Sequence, residues 1–165
     1  MLSVFDGLRD VTTLSVFVRL ACALICGGII GIERSYKRRP AGFRTHILIC
    51  IGAAITTLTS QYLYLNMHYF TDMARLGAQV VAGIGFISAG TIIVTKRQRV
   101  KGLTTAAGLW TSAIIGLTFG GGFYEGGILA TVFIMLAELV FSRIEYRVLE
   151  NVPEINLYME YEGKH

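Results

Sequence analysis

Arg19, Glu33, Arg34, Asp72, Glu125 and Glu138 interrupt or terminate long stretches that hold no other charge. An ionisable group in hydrocarbon is costly and is by default a functional candidate. Asp72, Arg75 and Gln79 recur at i, i+3 and i+7, which places them on one face of a helix. Two readings of these groups compete. In one, Arg19, Asp72, Gln79 and Glu125 line a polar vestibule at one end of a helix bundle. Glu33 and Glu138 then face each other, or Arg34 and Arg44, at the other end. In the alternative, Arg19 and Glu138 snorkel to the interfaces, and Asp72–Arg75 is a surface pair of little worth. A carboxylate on a short side chain snorkels poorly, which favours a functional role for Glu138.

Mg²⁺ keeps several waters and needs only one or two carboxylates. Asp72 with Glu125 is the pair available, and the neighbouring Arg75 opposes a cation there, so the metal question stays open. The chain has no Walker A, H-E-x-x-H or G-x-S-x-G motif. His46, His68 and His165 are scattered. Cys22, Cys26 and Cys50 lie in apolar stretches and read as small buried residues rather than zinc ligands. The expectation is a protein that is not an enzyme and carries no cofactor.

The elements that position these groups follow from the gaps between charges. The chain has 165 residues, 53% apolar and 16% charged, where soluble domains hold about 25% charged residues. Residues 20–32, 45–71, 76–95, 102–124 and 126–137 carry no Asp, Glu, Lys or Arg. A bilayer core needs about 20 apolar helical residues. Tolerating Arg19 and Glu138, the pattern predicts an all-α membrane protein with five transmembrane helices near 12–32, 44–64, 74–95, 104–120 and 124–142. Continuous apolar runs exclude barrel strands, which alternate. The first segment reads as a mature helix and not a signal peptide, because Asp6 and Asp10 flank its lone Arg9.

Basic residues in short loops orient such a chain. Arg34, Lys37, Arg38, Arg39 and Arg44 occupy the first loop, Lys96, Arg97, Arg99 and Lys101 the third, and Arg143, Arg147 and Lys164 the tail. Only Arg9, Arg19 and Arg75 fall on the other side. The N-terminus is therefore expected outside and the C-terminus in the cytoplasm. The basic face should meet anionic lipid or an acidic partner. Nucleic acid is excluded, since no stacking platform accompanies the charge.

Helices in lipid associate through small residues four apart. Such rows are Ala23, Gly27 and Gly31; Gly52, Thr56 and Ser60; Ala78, Ala82, Gly85 and Ala89; and Thr104, Gly108, Ser112, Gly116 and Gly120. They predict a tight bundle, and they could build a dimer as readily as a monomer core. A glycine break at 83–90 that lines a cavity is the functional alternative. The hairpins 37–45 and 97–105 share a pattern from basic residues to Gly, an apolar residue, any residue, then Thr, which suggests two parallel repeats.

Gly31-Ile32-Glu33-Arg34, then Pro40-Ala41-Gly42-Phe43-Arg44-Thr45-His46, the run from Gln79 to Gly90, and the run from Val100 to Trp110 resemble the MgtC/SapB family of bacterial inner-membrane proteins. The likeness covers roughly residues 15–142. It implies a role at low Mg²⁺ and in virulence, as a regulator of another membrane complex such as the ATP synthase. The alternative is a small oligomeric transporter or channel for Mg²⁺ or another ion. The resemblance puts weight on Glu33, Arg34, Gly42, Arg44, Thr45, Gly83, Gly85, Gly90, Gly102, Thr105 and Trp110. Ser88 stands where the family commonly has Gly. Many members carry a soluble C-terminal domain resembling an ACT module. The domain reading here is an MgtC-like transmembrane domain over 1–142 and a short cytoplasmic tail over 143–165, a truncated or rudimentary version of that domain. Residues 154–162 read as a single alternating strand.

Overall fold

The computed structural model describes residues 3–68, 72–95 and 100–149. A short 3-10 helix, Ser3–Leu8, precedes α1, Thr13–Tyr36. A reciprocal cap starts α1: the Ser15 amide donates to Thr12 Oγ1 at 3.2 Å, and the Thr12 amide donates to Ser15 Oγ at 2.9 Å. Then follow α2, Phe43–Leu65, α3, Arg75–Ala89, and two short strands, β1 Ile93–Val94 and β2 Val100–Lys101. The chain continues through α4, Leu103–Gly120, and α5, Tyr124–Leu136. A π-helical turn over Ala137–Phe141 leads without a break into α6, Ser142–Leu149.

Four helical segments are long and apolar enough to cross a membrane: Thr13–Tyr36, Phe43–Leu65, Leu103–Gly120 and Tyr124–Ile144. The third predicted span is the exception. The charge gap predicts helix through 95, but α3 stops at Ala89 after 15 residues. Gly90 follows, the Thr91 hydroxyl bonds back to Ser88 O at 2.8 Å, and every residue of the run Thr91-Ile92-Ile93-Val94-Thr95 is β-branched. Such residues favour extended backbone. β1 pairs antiparallel with β2, Ile93 opposite Lys101 and Val94 opposite Val100, so the all-α expectation is also corrected by this hairpin. The expected strand at 154–162 and the basic cluster Lys96, Arg97 and Arg99 lie outside the described residues.

Two of the small-residue rows make close backbone contact inside the chain. A Cβ on Gly116 would lie 2.1 Å from Cys50 O, and one on Gly120 2.4 Å from Ala54 O, so α4 presses directly on α2. A Cβ on Gly31 would lie 2.7 Å from Phe43 Cα, and one on Gly27 2.9 Å from His46 O, which sets α1 against the opposite flank of α2. Ala23, Ile30, Cys50, Ala54, Ile115, Phe119 and Tyr124 fill the resulting core. The other two rows behave differently. Ala78, Ala82, Gly85 and Ala89 are exposed, and Cβ atoms on Gly52, Gly83 or Gly85 would meet nothing within 4 Å. α3 also runs unbroken through Gly83 and Gly85, so of the 83–90 stretch offered as the alternative break only its last residue, Gly90, ends the helix. It packs through Val80, Ile84 and Ser88 instead, with Ile84 against Ala53 and Ala113.

Gly42 and Gly102, aligned by the repeat pattern, each cap the helix that follows. Their backbones differ. Gly42 is extended, while Gly102 has φ 97°, and a Cβ there would lie 2.0 Å from Thr91 O. Only glycine fits the second position.

Candidate functional site: a buried charge clamp and a cation cage

The end of α1 meets the π turn of α5 through four charged groups. Arg34 is 1% exposed and Glu33 6%. Arg34 Nε donates to Glu33 Oε2 at 2.5 Å, and its Nη2 donates to Glu138 Oε2. Lys37 is one turn beyond Glu33 and pairs with Glu33 Oε1 at 2.8 Å. The same ammonium donates to Glu138 O at 2.6 Å and to Ser142 Oγ at 2.8 Å. Two carboxylates and two cations balance, which lets the group stay buried. A π turn inserts one extra residue per turn and is frequent at functional sites. Here it carries Glu138, whose side chain reaches Arg34 and whose carbonyl reaches Lys37.

Beside the clamp, His46 is fully buried and its Nδ1–H donates to Gly42 O at 2.9 Å. That bond leaves Nε2 as the acceptor nitrogen in the neutral ring. Among the described residues, neither His46 Nε2 nor Arg34 Nη1 has a partner. Thr105 is buried, Thr45 is half-buried, and Arg44 and Trp110 are exposed.

The opposite end holds Arg19, wholly buried. Its Nη1 donates to Gln61 Oε1 at 2.8 Å and to Gly120 O at 2.9 Å; its Nη2 donates to Arg9 O at 2.6 Å and Leu8 O at 3.3 Å. Every one of these acceptors is neutral. Two are carbonyls at or just past the end of the 3-10 helix, and one closes α4, where the helix dipole favours a cation. Arg9 in turn pairs with Glu125 at 2.6 Å and Asp6 at 3.2 Å, and donates to Gly122 O at 3.2 Å. Desolvation opposes the Arg9 charge, the two carboxylates outweigh it, and the guanidinium pKa is raised above its ordinary value. Phe5 stacks on Tyr124 at 4.9 Å, and the Tyr124 hydroxyl donates to Leu8 O at 3.1 Å.

Of the two readings of these groups, the open vestibule is not what Arg19 and Glu125 form: this end is filled. The N-terminal 3-10 helix plugs it, because its carbonyls are the acceptors that Arg19 needs. Arg19 and Glu125 come to this plug, with Arg9 between them. Asp72 and Gln79 do not: both are exposed, and Asp72 Oδ1 accepts from the Ala74 amide at 2.9 Å. At the other end Glu33, Arg34 and Glu138 meet, while Arg44 does not join them. Arg9, Lys37, Gln61, His46 and Ser142 are participants that the sequence reasoning passed over. Only Lys37 carried a local signal, its spacing of four from Glu33.

A sequence profile of the MgtC family matches residues 20–147. The chain belongs to the MgtC family. It is 41% identical over 149 residues to "Putative magnesium transporter YhiD" of Escherichia coli K12, an alignment spanning 88% of this chain and 69% of that one. It is 37% identical over 131 residues to the protein MgtC of Salmonella typhimurium, spanning 79% of this chain and 54% of that one. An uncharacterised Haemophilus influenzae protein is 39% identical over 129 residues, with 75% of this chain and 54% of that one covered. No solved structure matches the chain. The MgtC match includes the whole clamp, Glu33, Arg34, Lys37, Glu138 and Ser142, and begins one residue after Arg19. Of the MgtC-like motif residues, Gly42 and Gly102 cap helices, Gly90 ends α3, and Gly83 and Gly85 face outward.

Proposed function

We propose that this MgtC-family chain is a multi-pass protein of the bacterial inner membrane that regulates another membrane complex during adaptation to low Mg²⁺ and in virulence. It acts without catalysis or cofactor. The ATP synthase is the complex the family resemblance implies. Helices α1–α5 lie in the bilayer, α3 completing its crossing through the hairpin, with the N-terminus outside and the basic end in the cytoplasm.

The observation that carries this reading is a groove of about 380 Å³ between α2 and α3, lined among others by Leu48, Gly52, Thr56, Gly83, Ile87 and Ala113. The Thr56 hydroxyl already bonds to Gly52 O at 2.7 Å, so the wall asks for no polar partner. Small residues with nothing against them form the groove that a foreign transmembrane helix needs in lipid. The groove is continuous with the exposed face of α3. A second copy of the chain competes for the same surface.

Magnesium transport is the second reading, favoured by the name of the YhiD relative. Of its carboxylate candidates, Glu33 is paired with Arg34 and Lys37, Glu138 with Arg34 and Glu125 with Arg9, while Asp72 is exposed and accepts from the Ala74 amide. Two assays separate the readings. Inverted vesicles that hold the ATP synthase report proton pumping with and without stoichiometric protein. Proteoliposomes report Mg²⁺ flux. Inhibited pumping without flux supports regulation. Flux abolished by Asp72→Asn, or by Glu138→Gln at a temperature where thermal unfolding shows that variant still folded, supports transport and overturns the regulator-only reading.

A further inference from the structure

The basic end carries a cavity that the charge clamp does not fill. It measures about 350 Å³ and is lined by Lys37, Arg39, Ser142, Arg143 and Arg147. Four of these five are cations, and among the described residues no carboxylate contributes to the wall. Lys37 is already engaged by Glu33, Glu138 and Ser142. Arg39, Arg143 and Arg147 are exposed and, among the described residues, have no ion pair. Arg143 and Arg147 stand four apart on α6, so their guanidiniums share a face and repel. The Lys37–Ser142 bond holds the start of α6 against α1 and keeps the cations converged.

A second cavity, of about 500 Å³, adjoins the first. Arg143 and Arg147 line both, and the other described residues of the second wall are Leu139, Val140 and Ile144. The two arginines thus divide a cationic compartment from an apolar trough. The apolar span Tyr124–Ile144 ends at this point, which puts the arginines at headgroup depth.

We propose that this corner is a binding site for an anionic phospholipid. Arg39, Arg143 and Arg147 hold the phosphate, and one acyl chain runs along Leu139, Val140 and Ile144. Guanidinium forks match phosphate oxygens in pairs, and basic pockets between helices at the cytoplasmic surface suit lipid headgroups. A free phosphate would fill the cationic compartment and leave the trough bare. The contiguous trough is what selects a lipid. The site depends on the chain spanning a membrane and not on the regulatory reading.

The test is native mass spectrometry of the full chain in detergent, titrated with dioleoyl phosphatidylglycerol or dioleoyl phosphatidylcholine. The wild type should retain phosphatidylglycerol in preference. Arg143→Gln/Arg147→Gln should lose on the order of tenfold in that binding, and Arg143→Lys/Arg147→Lys should lose less. Arg38→Gln/Lys101→Gln removes the same charge from exposed positions outside the pocket and should change little. All three variants replace exposed side chains, and an unchanged melting temperature confirms that each is folded. Equal retention of both lipids, or equal loss in the Arg38/Lys101 control, overturns the site. Displacement by inorganic phosphate without lipid preference assigns the pocket to a soluble phosphate and overturns the lipid. Tighter binding of a polyglutamate peptide assigns it to an acidic protein segment and does the same.

Discussion

Arg34 on α1 holds Glu138 on the π turn after α5 across 104 residues of chain, and it binds Glu33, its own neighbour, through Nε of the same guanidinium. One fork therefore ties the first membrane helix to the last. Lys37 closes the arrangement from the other side, through the Glu33 carboxylate and the Glu138 carbonyl. The clamp is neutral as a unit, and removing any one member leaves an unbalanced charge in a buried place.

Glu138→Gln should therefore destabilise the protein by about 3–5 kcal/mol, the cost of breaking a buried pair from one side. Thermal unfolding in detergent measures it. Arg34→Met/Glu138→Leu, which removes one cation and one anion, should cost less than the two single losses summed. A fully additive cycle would show that the pair is not coupled.

The glycines give a paired prediction. Gly116→Ala puts a methyl 2.1 Å from the Cys50 carbonyl, which is backbone and cannot rotate away. It should cost about 1–3 kcal/mol, as overpacking does. Gly52→Ala has nothing within 4 Å and should leave the melting temperature unchanged. Equal melting shifts would mean that α2 and α4 do not touch as described.

These two glycines also show where sequence reading stops. Gly52 and Gly116 each begin or continue a row of small residues at spacing four, and no local signal separates them. What separates them is the neighbour: α4 covers Cys50 and Ala54 on α2 and leaves Gly52 outside. The helices themselves were legible, because charge is excluded from hydrocarbon and the gaps mark the spans. The end of α3 was legible too, in the β-branched run after Gly90, but the absence of charge through Thr95 masked it. That Glu33, Arg34 and Glu138 meet at one end was one of two readings of the sequence; what decides it against snorkelling is tertiary contact and a π turn that no spacing announces. The Arg19 cage is made mostly of backbone carbonyls, which side-chain patterns do not encode.

Arg19 should be intolerant even of lysine. Its two terminal nitrogens reach four acceptors on three elements and the loop after the 3-10 helix, and an ammonium offers donors from one point only. Arg19→Lys should free the Ser3–Leu8 helix from its seat. Limited proteolysis near the N-terminus should speed up while the rest of the chain remains protected. Unchanged cleavage would show that the plug is held by Phe5 and Tyr124 instead.

Orientation has a direct readout. Gly7 is exposed, with open space where a side chain would stand, and Arg38 is exposed at the other end. In a variant with the three native cysteines replaced, Gly7→Cys should react with a membrane-impermeant maleimide on intact spheroplasts. Arg38→Cys should react only after permeabilisation. The reverse pattern would invert the proposed topology.

The groove between α2 and α3 carries the sharpest functional prediction, because the two positions that shape it are free of internal contacts. A Cβ at Gly52 or Gly83 meets nothing within 4 Å, and in Gly52→Leu or Gly83→Leu the rest of the side chain takes up open groove volume, so folding should be preserved, with a melting temperature close to that of the wild type. If a partner helix docks there, either substitution blocks its close approach, and inhibition of proton pumping in inverted vesicles should fall by about tenfold or more, the effect of losing at least 1.4 kcal/mol of contact. Ile128→Ala offers the comparison: it trims an exposed apolar residue on α5, away from the groove, and inhibition should persist. Loss of inhibition in Ile128→Ala with none in the two leucine variants would move the docking face to α5. Cross-linking of the wild type to itself through the groove would identify the occupant as a second copy of the chain.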